Sequence, residues 1–151
     1  MYQKILVPLD GSELAECTLN HVKMLVKEGF AREATLLNIV GIDLPWAELY
    51  GKNFNRDTVR EAYFASARKY LADVESRLGA EGIKVKTEVL EADRTSAAIT
   101  EYARDKGMDA IVVATHGYTG LKRLMMGSVA LGVLHESPVP VLLIRPEACL
   151  V

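Results

Sequence analysis

The sequence is short of cysteine, of net charge and of long apolar runs, and each shortage excludes a class of protein. Only two cysteines occur among 151 residues, and neither Cys17 nor Cys149 belongs to a C-x-x-C pair, so neither a disulfide framework nor a thiolate metal site is expected. The formal net charge of −2 gives no electrostatic case for nucleic-acid binding. No apolar run approaches the roughly 20 residues that span a bilayer, and no secretory signal is visible. We therefore expect a cytoplasmic protein that binds neither nucleic acids nor membranes.

The remaining composition is that of an ordinary globular protein. Hydrophobic residues make up 50% of the chain and charged residues 25%, which is typical of a folded domain. A chain of 151 residues fits one domain with one core. We predict a single domain over residues 1–151.

Strand and helix patterns alternate along the whole chain. Short apolar or β-branched segments predict five strands, at 5–8, 35–40, 83–89, 110–114 and 139–144. Helical periodicity predicts four helices, at 12–28, 59–78, 96–106 and 128–136, with Gly79 ending the second. This order implies a five-stranded parallel sheet with helices on both faces, a Rossmann-like α/β fold. The strict alternation of apolar and charged or polar residues at 83–89 predicts an edge strand. The uninterrupted apolar run at 110–114 predicts an internal strand.

Residues 41–56 form the one long segment without a clear period. Trp46, Leu49 and Tyr50 lie in it, and such segments are often functional in compact domains. They could form a lid or a partner surface, but large aromatic residues are usually packed, so a cover for the sheet is the default expectation.

Two loops combine the right position with suggestive chemistry, one after Leu9 and one after Thr115. Both follow predicted strands, and in parallel sheets the ligand crevice opens at the carboxyl ends of strands. In the second loop, Gly117 is followed by nine residues and then by Gly127 and Ser128 at the start of a helix. The sequence therefore places a candidate binding site where these loops meet.

The second loop has the features of an anion site. Glycines at 117 and 127 would let the backbone adopt conformations closed to most side chains, and the helix start offers unpaired N–H groups and a dipole that favours an anion by about 0.3–1 kcal/mol. Ser128 could donate its hydroxyl, and Lys122 and Arg123 add positive charge. The structural alternative is that Gly117 and Gly120 only make turns and that Ser128 only caps the helix.

These segments resemble the ATP-binding universal stress proteins. The family's motif is a glycine, two residues, a glycine, nine residues and a glycine with serine or threonine, and residues 114–128 match it except for alanine at 114. Residues 5–12 resemble the family's opening strand and Asp-Gly-Ser turn, and 137–144 its closing strand. A second departure lies at 90–96, where the family usually has a glycine followed by a proline-alanine pair.

The resemblance implies a nucleotide site that holds ATP, with Mg²⁺ or Mn²⁺ bound through the phosphates as an option and no metal ligands from protein side chains. The residues implied are Pro8, Leu9, Asp10, Ile39, Ala114, Thr115, His116, Gly117, Gly120, Gly127, Ser128, Val129 and Ala130. Two alternatives stay open. Asp10 and Glu13 have the spacing of a capping box, and Leu9 and Ile39 could be ordinary core residues.

The predicted function is a nucleotide-dependent signalling module in the stress response, acting on an unknown protein partner. No catalytic residue is assigned, because no carboxylate is placed to orient His116 as a base. The apolar last strand, 139–144, is expected to form a homodimer, because an open apolar edge invites aggregation. The alternatives are a slow ATPase or nucleotidyl transferase, a nucleotide-free interaction protein, and a binder of AMP or cAMP.

Overall fold

The computed structural model describes residues 1–41, 55–116 and 126–146, and these form five strands and five helices. The strands are β1 (Tyr2–Pro8), β2 (Ala31–Val40), β3 (Val85–Glu91), β4 (Ala110–Ala114) and β5 (Val141–Ile144). The helices are α1 (Glu13–Glu16), α2 (Thr18–Lys27), α3 (Arg56–Ala80), α4 (Thr95–Asp105) and α5 (Ser128–Glu136). The predicted segment 41–56 lies almost wholly outside the described residues.

The strands form one sheet in the order β3-β2-β1-β4-β5, and every neighbouring pair is parallel. In the centre, Leu6 of β1 is paired with Thr35 of β2 on one side and with Ile111 of β4 on the other. The chain thus builds outward from β1 to β3 and then crosses back over β1 to add β4 and β5. The predicted five-stranded parallel α/β fold is confirmed.

Both faces of the sheet are buried. Ile5 and Val7 belong to a core under α2 and α3, whereas Leu6 belongs to a second core under α4 and α5, and all three side chains are fully buried. Alternate residues of β1 therefore meet different layers of helix. This explains why the strand reads as an uninterrupted apolar run.

The two edges of the described sheet differ in character. In β3, buried Val85 is followed by exposed Lys86 and Thr87, and lysine protects an edge against unwanted pairing. In β5, by contrast, Leu142 is 42% exposed. The predicted edge position of the alternating strand is confirmed.

The predicted boundaries of α1, α2 and α3 were wrong, and α3 begins at Arg56 and not at 59. The helix predicted at 12–28 is divided at Cys17 into α1 and α2, where the Thr18 hydroxyl donates to the Ala15 carbonyl at 2.8 Å and so competes with the backbone ladder. Gly79 does not end α3, which runs to Ala80. The chain turns at Gly82 instead, whose φ of +80° is in the left-handed region that favours glycine.

Helices α4 and α5 pack against each other. Gly132 of α5 faces Ser96 of α4, and a Cβ added to Gly132 would lie 2.6 Å from the Ser96 Cβ. Such a contact is too short for any real pair of carbon atoms, and a serine Cβ is fixed by its backbone. Only glycine at 132 allows the two helices to come this close.

We expect Gly132→Ala to destabilise the fold. Separating α4 from α5 should lower the free energy of unfolding by about 1–3 kcal/mol, which exceeds the gain of up to about 1 kcal/mol that alanine has over glycine in a helix. Gly79→Ala in α3 is the matched control, because an added Cβ meets nothing within 4 Å there. Urea unfolding followed by circular dichroism measures both. If the two variants are equally stable, the close packing is not the reason for glycine at 132.

Candidate functional site

A cavity of about 300 Å³ opens at the carboxyl ends of the central strands. It lies where the loop after β1 and the loop after β4 diverge, which is the point where the strand order reverses. The lining residues are Pro8, Leu9, Asp10, Ala15, Leu37, Ile39, Thr95, Ile99, Val113, Ala114, Thr115, His116, Gly127, Ser128, Val129 and Ala130. Its volume is at the lower end of the range for small-molecule sites, about 300–1,000 Å³.

Every predicted site residue that the structure describes lines this cavity. Gly117 and Gly120, together with Lys122 and Arg123, lie outside the described residues. The structure also adds lining residues that were not predicted: Ala15, Leu37, Thr95, Ile99 and Val113. Thr95 belongs to the segment that departs from the family pattern, and the others are apolar residues that a sequence cannot distinguish from ordinary core.

The first loop is a tight turn from Asp10 to Ser12. Gly11 has a φ of 87°, which requires glycine, and the Ser12 N–H donates to the Asp10 carboxylate at 2.9 Å. Ser12, not Asp10, is the N-cap of α1, because its hydroxyl accepts from the Ala15 N–H at 3.1 Å. The capping box proposed for Asp10 and Glu13 is therefore wrong. Asp10 instead orders the turn and presents its side chain at the cavity.

The carboxyl ends of β1 and β2 are locked together by Asn38. This residue is 9% exposed, and its side-chain amide donates to the Leu9 carbonyl at 2.8 Å. The Leu9 N–H in turn donates to the Leu37 carbonyl at 2.9 Å. Asn38 was missed in the sequence, where its only signal is a polar residue inside an apolar strand. The lock holds Leu9 and Ile39 side by side at the cavity.

The second loop is closed at its base. The Gly127 N–H donates to the Thr115 carbonyl at 2.7 Å, and the Thr115 N–H donates to the Ile144 carbonyl at 2.9 Å. Gly127 has φ −63° and ψ 151°, which any residue can adopt, so the special backbone predicted for it is wrong. A glycine here leaves space beside the cavity without any conformational requirement.

Helix α5 begins at the cavity without a side-chain cap. Its N-cap is Gly127, which has no side chain to cap the helix, and among the described residues no other side chain accepts a hydrogen bond from the first turn. Ser128 is the first helical residue, so the reading of Ser128 as a helix cap is wrong. The N–H groups of Ser128, Val129 and Ala130 have no acceptor within the helix, and all three residues line the cavity. The arrangement offers a set of donors and a positive dipole end to an anion.

His116 stands next to this helix start. Its Nδ1 lies 2.8 Å from the Thr115 hydroxyl, and Thr115 is 7% exposed. Nε2 is buried and has no hydrogen-bond partner among the described residues. Within the described part of the chain, the imidazole is therefore held by a hydroxyl and not by a carboxylate.

Helix α1 is fastened to α3 behind the first loop. The Tyr70 hydroxyl donates to the Glu16 carboxylate at 3.1 Å, and Arg77 donates to the same carboxylate at 2.9 Å. Burial, and then the negative charge of Glu16, raise the pKa of Tyr70 above its ordinary value. Tyr70 thus remains a protonated donor at neutral pH. These bonds hold α1, and with it the Asp10 turn, against the long helix.

The described residues contain no group of three or more histidine, cysteine, aspartate or glutamate side chains arranged to hold a metal ion. None of the helices they form is long and apolar enough to cross a membrane.

Fold and cavity together define a doubly wound parallel α/β protein with a ligand crevice at its switch point. The sequence model of the universal stress protein family matches residues 1–145. The chain is 30% identical to the universal stress protein MJ0577 of Methanocaldococcus jannaschii, covering 96% of both chains. It is 31% identical to MJ0531 of the same organism, covering 96% of this chain and 83% of the relative. The chain belongs to the universal stress protein family.

Solved structures agree in fold. The structure of MJ0577 superimposes with a TM-score of 0.79 over 96% of each chain, at 31% identity. Two more distant structures each have a TM-score of 0.65. One is a universal stress protein in complex with cAMP, which is 18% identical and covers 96% of this chain and 98% of that chain. The other is an Arabidopsis thaliana family member with AMP bound, which is 16% identical and covers 95% of this chain and 91% of that chain. At these identities the likeness concerns the fold alone.

We expect Ser12→Ala and Ser128→Ala to differ in stability. Ser12 caps α1, and removing a cap lowers the free energy of unfolding by about 0.5–2 kcal/mol. Ser128 makes no cap, so its replacement should change stability by less than about 0.5 kcal/mol, as for other surface substitutions. Urea unfolding without added ligand measures both. An equal loss in the two variants would restore Ser128 as a structural residue.

Proposed function

We propose that this protein binds ATP in the cavity between the Asp10 turn and the start of α5, and that it acts in the cytoplasm as a nucleotide-dependent module of the stress response. The observation that carries the proposal is the meeting of an apolar pocket and an uncapped helix start in one crevice. One half suits a planar base and the other suits phosphate.

The phosphate half is the first turn of α5. Gly127 leaves room for close approach, Ser128 offers an exposed hydroxyl, and the N–H groups of Val129 and Ala130 point out of the helix end. A phosphate here gains charge-assisted hydrogen bonds as well as the favourable dipole. Both effects act without a positively charged side chain.

The base half is formed by Pro8, Leu9 and Ile39. These are mostly apolar walls at the ends of β1 and β2, whose spacing is held by the Asn38 amide. The resemblance to the ATP-binding universal stress proteins implies an adenine pocket at these three residues. We therefore infer a preference for adenine over guanine.

The proposal is for binding, with slow turnover or none. Asp10 is the carboxylate in the described lining, and its Oδ1 already accepts from the Ser12 N–H and hydroxyl. Phosphoryl transfer needs a group that orients the attacking oxygen, and neither Asp10 nor His116 is held in that way. A divalent ion such as Mg²⁺ or Mn²⁺ would be bound through the phosphates.

Calorimetric titration tests the proposal. ATP should bind more tightly than GTP, and cAMP and AMP should be titrated beside them, because distant relatives contain these ligands. Ser128→Ala should weaken ATP binding by about ten- to a hundredfold, since one hydrogen bond to a charged group contributes about 1.5–3 kcal/mol. Ser76→Ala, on an exposed turn of α3, is the control and should bind as the wild type does. No binding of any adenine nucleotide, or equal affinity for ATP and GTP, would contradict the proposal.

We propose further that two copies associate through β5. The other described edge is protected by lysine, whereas β5 exposes Leu142. The apolar residues of the predicted segment do not all contribute: Val139, Val141 and Leu143 pack against the core under α4 and α5, and Ile144 is buried. Leu142 is therefore the residue to change.

Leu142→Lys should shift the protein from dimer to monomer. A lysine at this exposed position places two like charges near the two-fold axis of a symmetric interface and leaves the core intact. Thr87→Lys, exposed on the opposite edge strand β3, is the matched control and should remain dimeric. Light scattering at micromolar concentration measures the mass. A wild-type monomer, or a dimer unaffected by Leu142→Lys, would refute this association.

A further inference from the structure

A second helix also begins at the cavity. Thr95 is the first residue of α4 and lines the same cavity as Ser128, the first residue of α5. The close contact between Gly132 and Ser96 brings these two helix starts together. Thr95 is half-buried, and within the described part of the chain its hydroxyl makes no hydrogen bond.

The described helices differ in whether a side chain caps their start. Helix α1, whose Ala15 also lines the cavity, is capped by the Ser12 hydroxyl and α3 by the Asn55 side chain, whereas α2 begins at Cys17 without a side-chain cap. At the cavity, neither Arg94, the N-cap of α4, nor Gly127, the N-cap of α5, supplies a capping side chain. A cap adds about 1 kcal/mol of stability, so its absence at both of these starts leaves donors directed at a shared space.

The two helix starts lie toward different halves of the cavity. Helix α4 packs on β2, the strand that contains Ile39, whereas α5 packs on β5. Ile39 is on the proposed base side. Ser128 instead adjoins Gly127, on the side of β4 and β5. Thr95 therefore lies toward the nucleoside and Ser128 toward the phosphates.

We propose that the Thr95 hydroxyl forms a hydrogen bond with the nucleoside half of the bound adenine nucleotide, as a specificity-determining residue of this site. The inference rests on the proposed function. A threonine hydroxyl both donates and accepts, so it can pair with a ribose hydroxyl or a ring nitrogen. Because this contact does not involve phosphate, its contribution is the same whatever the number of phosphates.

The experiment compares adenosine, AMP and ATP on two variants. Thr95→Val keeps the side-chain shape and removes the hydroxyl, and it should weaken binding of all three ligands by the same factor, about 3- to 10-fold for a neutral hydrogen bond. Ser128→Ala should weaken ATP binding and leave adenosine binding unchanged. Thr95→Ser keeps the hydroxyl and should bind as the wild type does. Urea unfolding confirms that each variant is folded.

The outcomes distinguish the role of Thr95 from nucleotide binding by the protein as a whole. If the wild type binds ATP, and Thr95→Val binds adenosine as tightly as the wild type does, the inference is wrong and the proposed function stands. A loss in Thr95→Val that grows with phosphate number, or an equal loss in Thr95→Ser, also overturns it. If the wild type binds none of the three ligands, the proposed function fails, and the inference with it.

Discussion

The chain crosses from β3 over β1 to β4, and this crossing determines where the cavity forms. It adds β4 and β5 on the opposite side of the central strand from β2 and β3, so the loops that leave β1 and β4 must run apart. The space between them is the cavity. The same crossing lays α4 across the sheet next to α5, and the contact of Gly132 with Ser96 sets their separation. Topology thus creates the crevice, and one glycine determines how closely its two helix starts approach.

A few hydrogen bonds convert this crevice into a defined shape. The Asn38 amide joins the ends of β1 and β2, the Gly127 N–H closes the base of the second loop, and Ser12 ends the first loop by capping α1. Each of these bonds is made within the protein and requires no ligand. The walls are therefore set before anything binds, which reduces the ordering that a ligand would otherwise impose.

Among the described residues, the donors without protein partners include the first N–H groups of α5 and the Thr95 hydroxyl. Water can satisfy such donors at little cost, and a ligand that replaces the water regains the bonds with better geometry. A site of the proposed kind would bind its ligand without needing to transform it. A module that changes its interactions with nucleotide requires only that one state binds the nucleotide more tightly than the other.

Local sequence patterns predicted the succession of strands and helices, the parallel α/β class and the charged edge strand, and the family resemblance implied most of the residues that line the cavity. Hydrophobic periodicity and the spacing of glycines and serines are local properties, and a local pattern can be read without knowing what it will contact. The roles of individual residues came from the tertiary structure. It showed that Ser12 and not Asp10 is a cap, that Ser128 is not one, and that Gly11 and not Gly127 has a left-handed backbone. It also showed that Asn38 joins the strand ends beside the cavity and that Thr95 lines it. The physical reason is that each of these roles depends on where the chain turns, or on a partner brought close by the fold, and no pattern within a single segment records either.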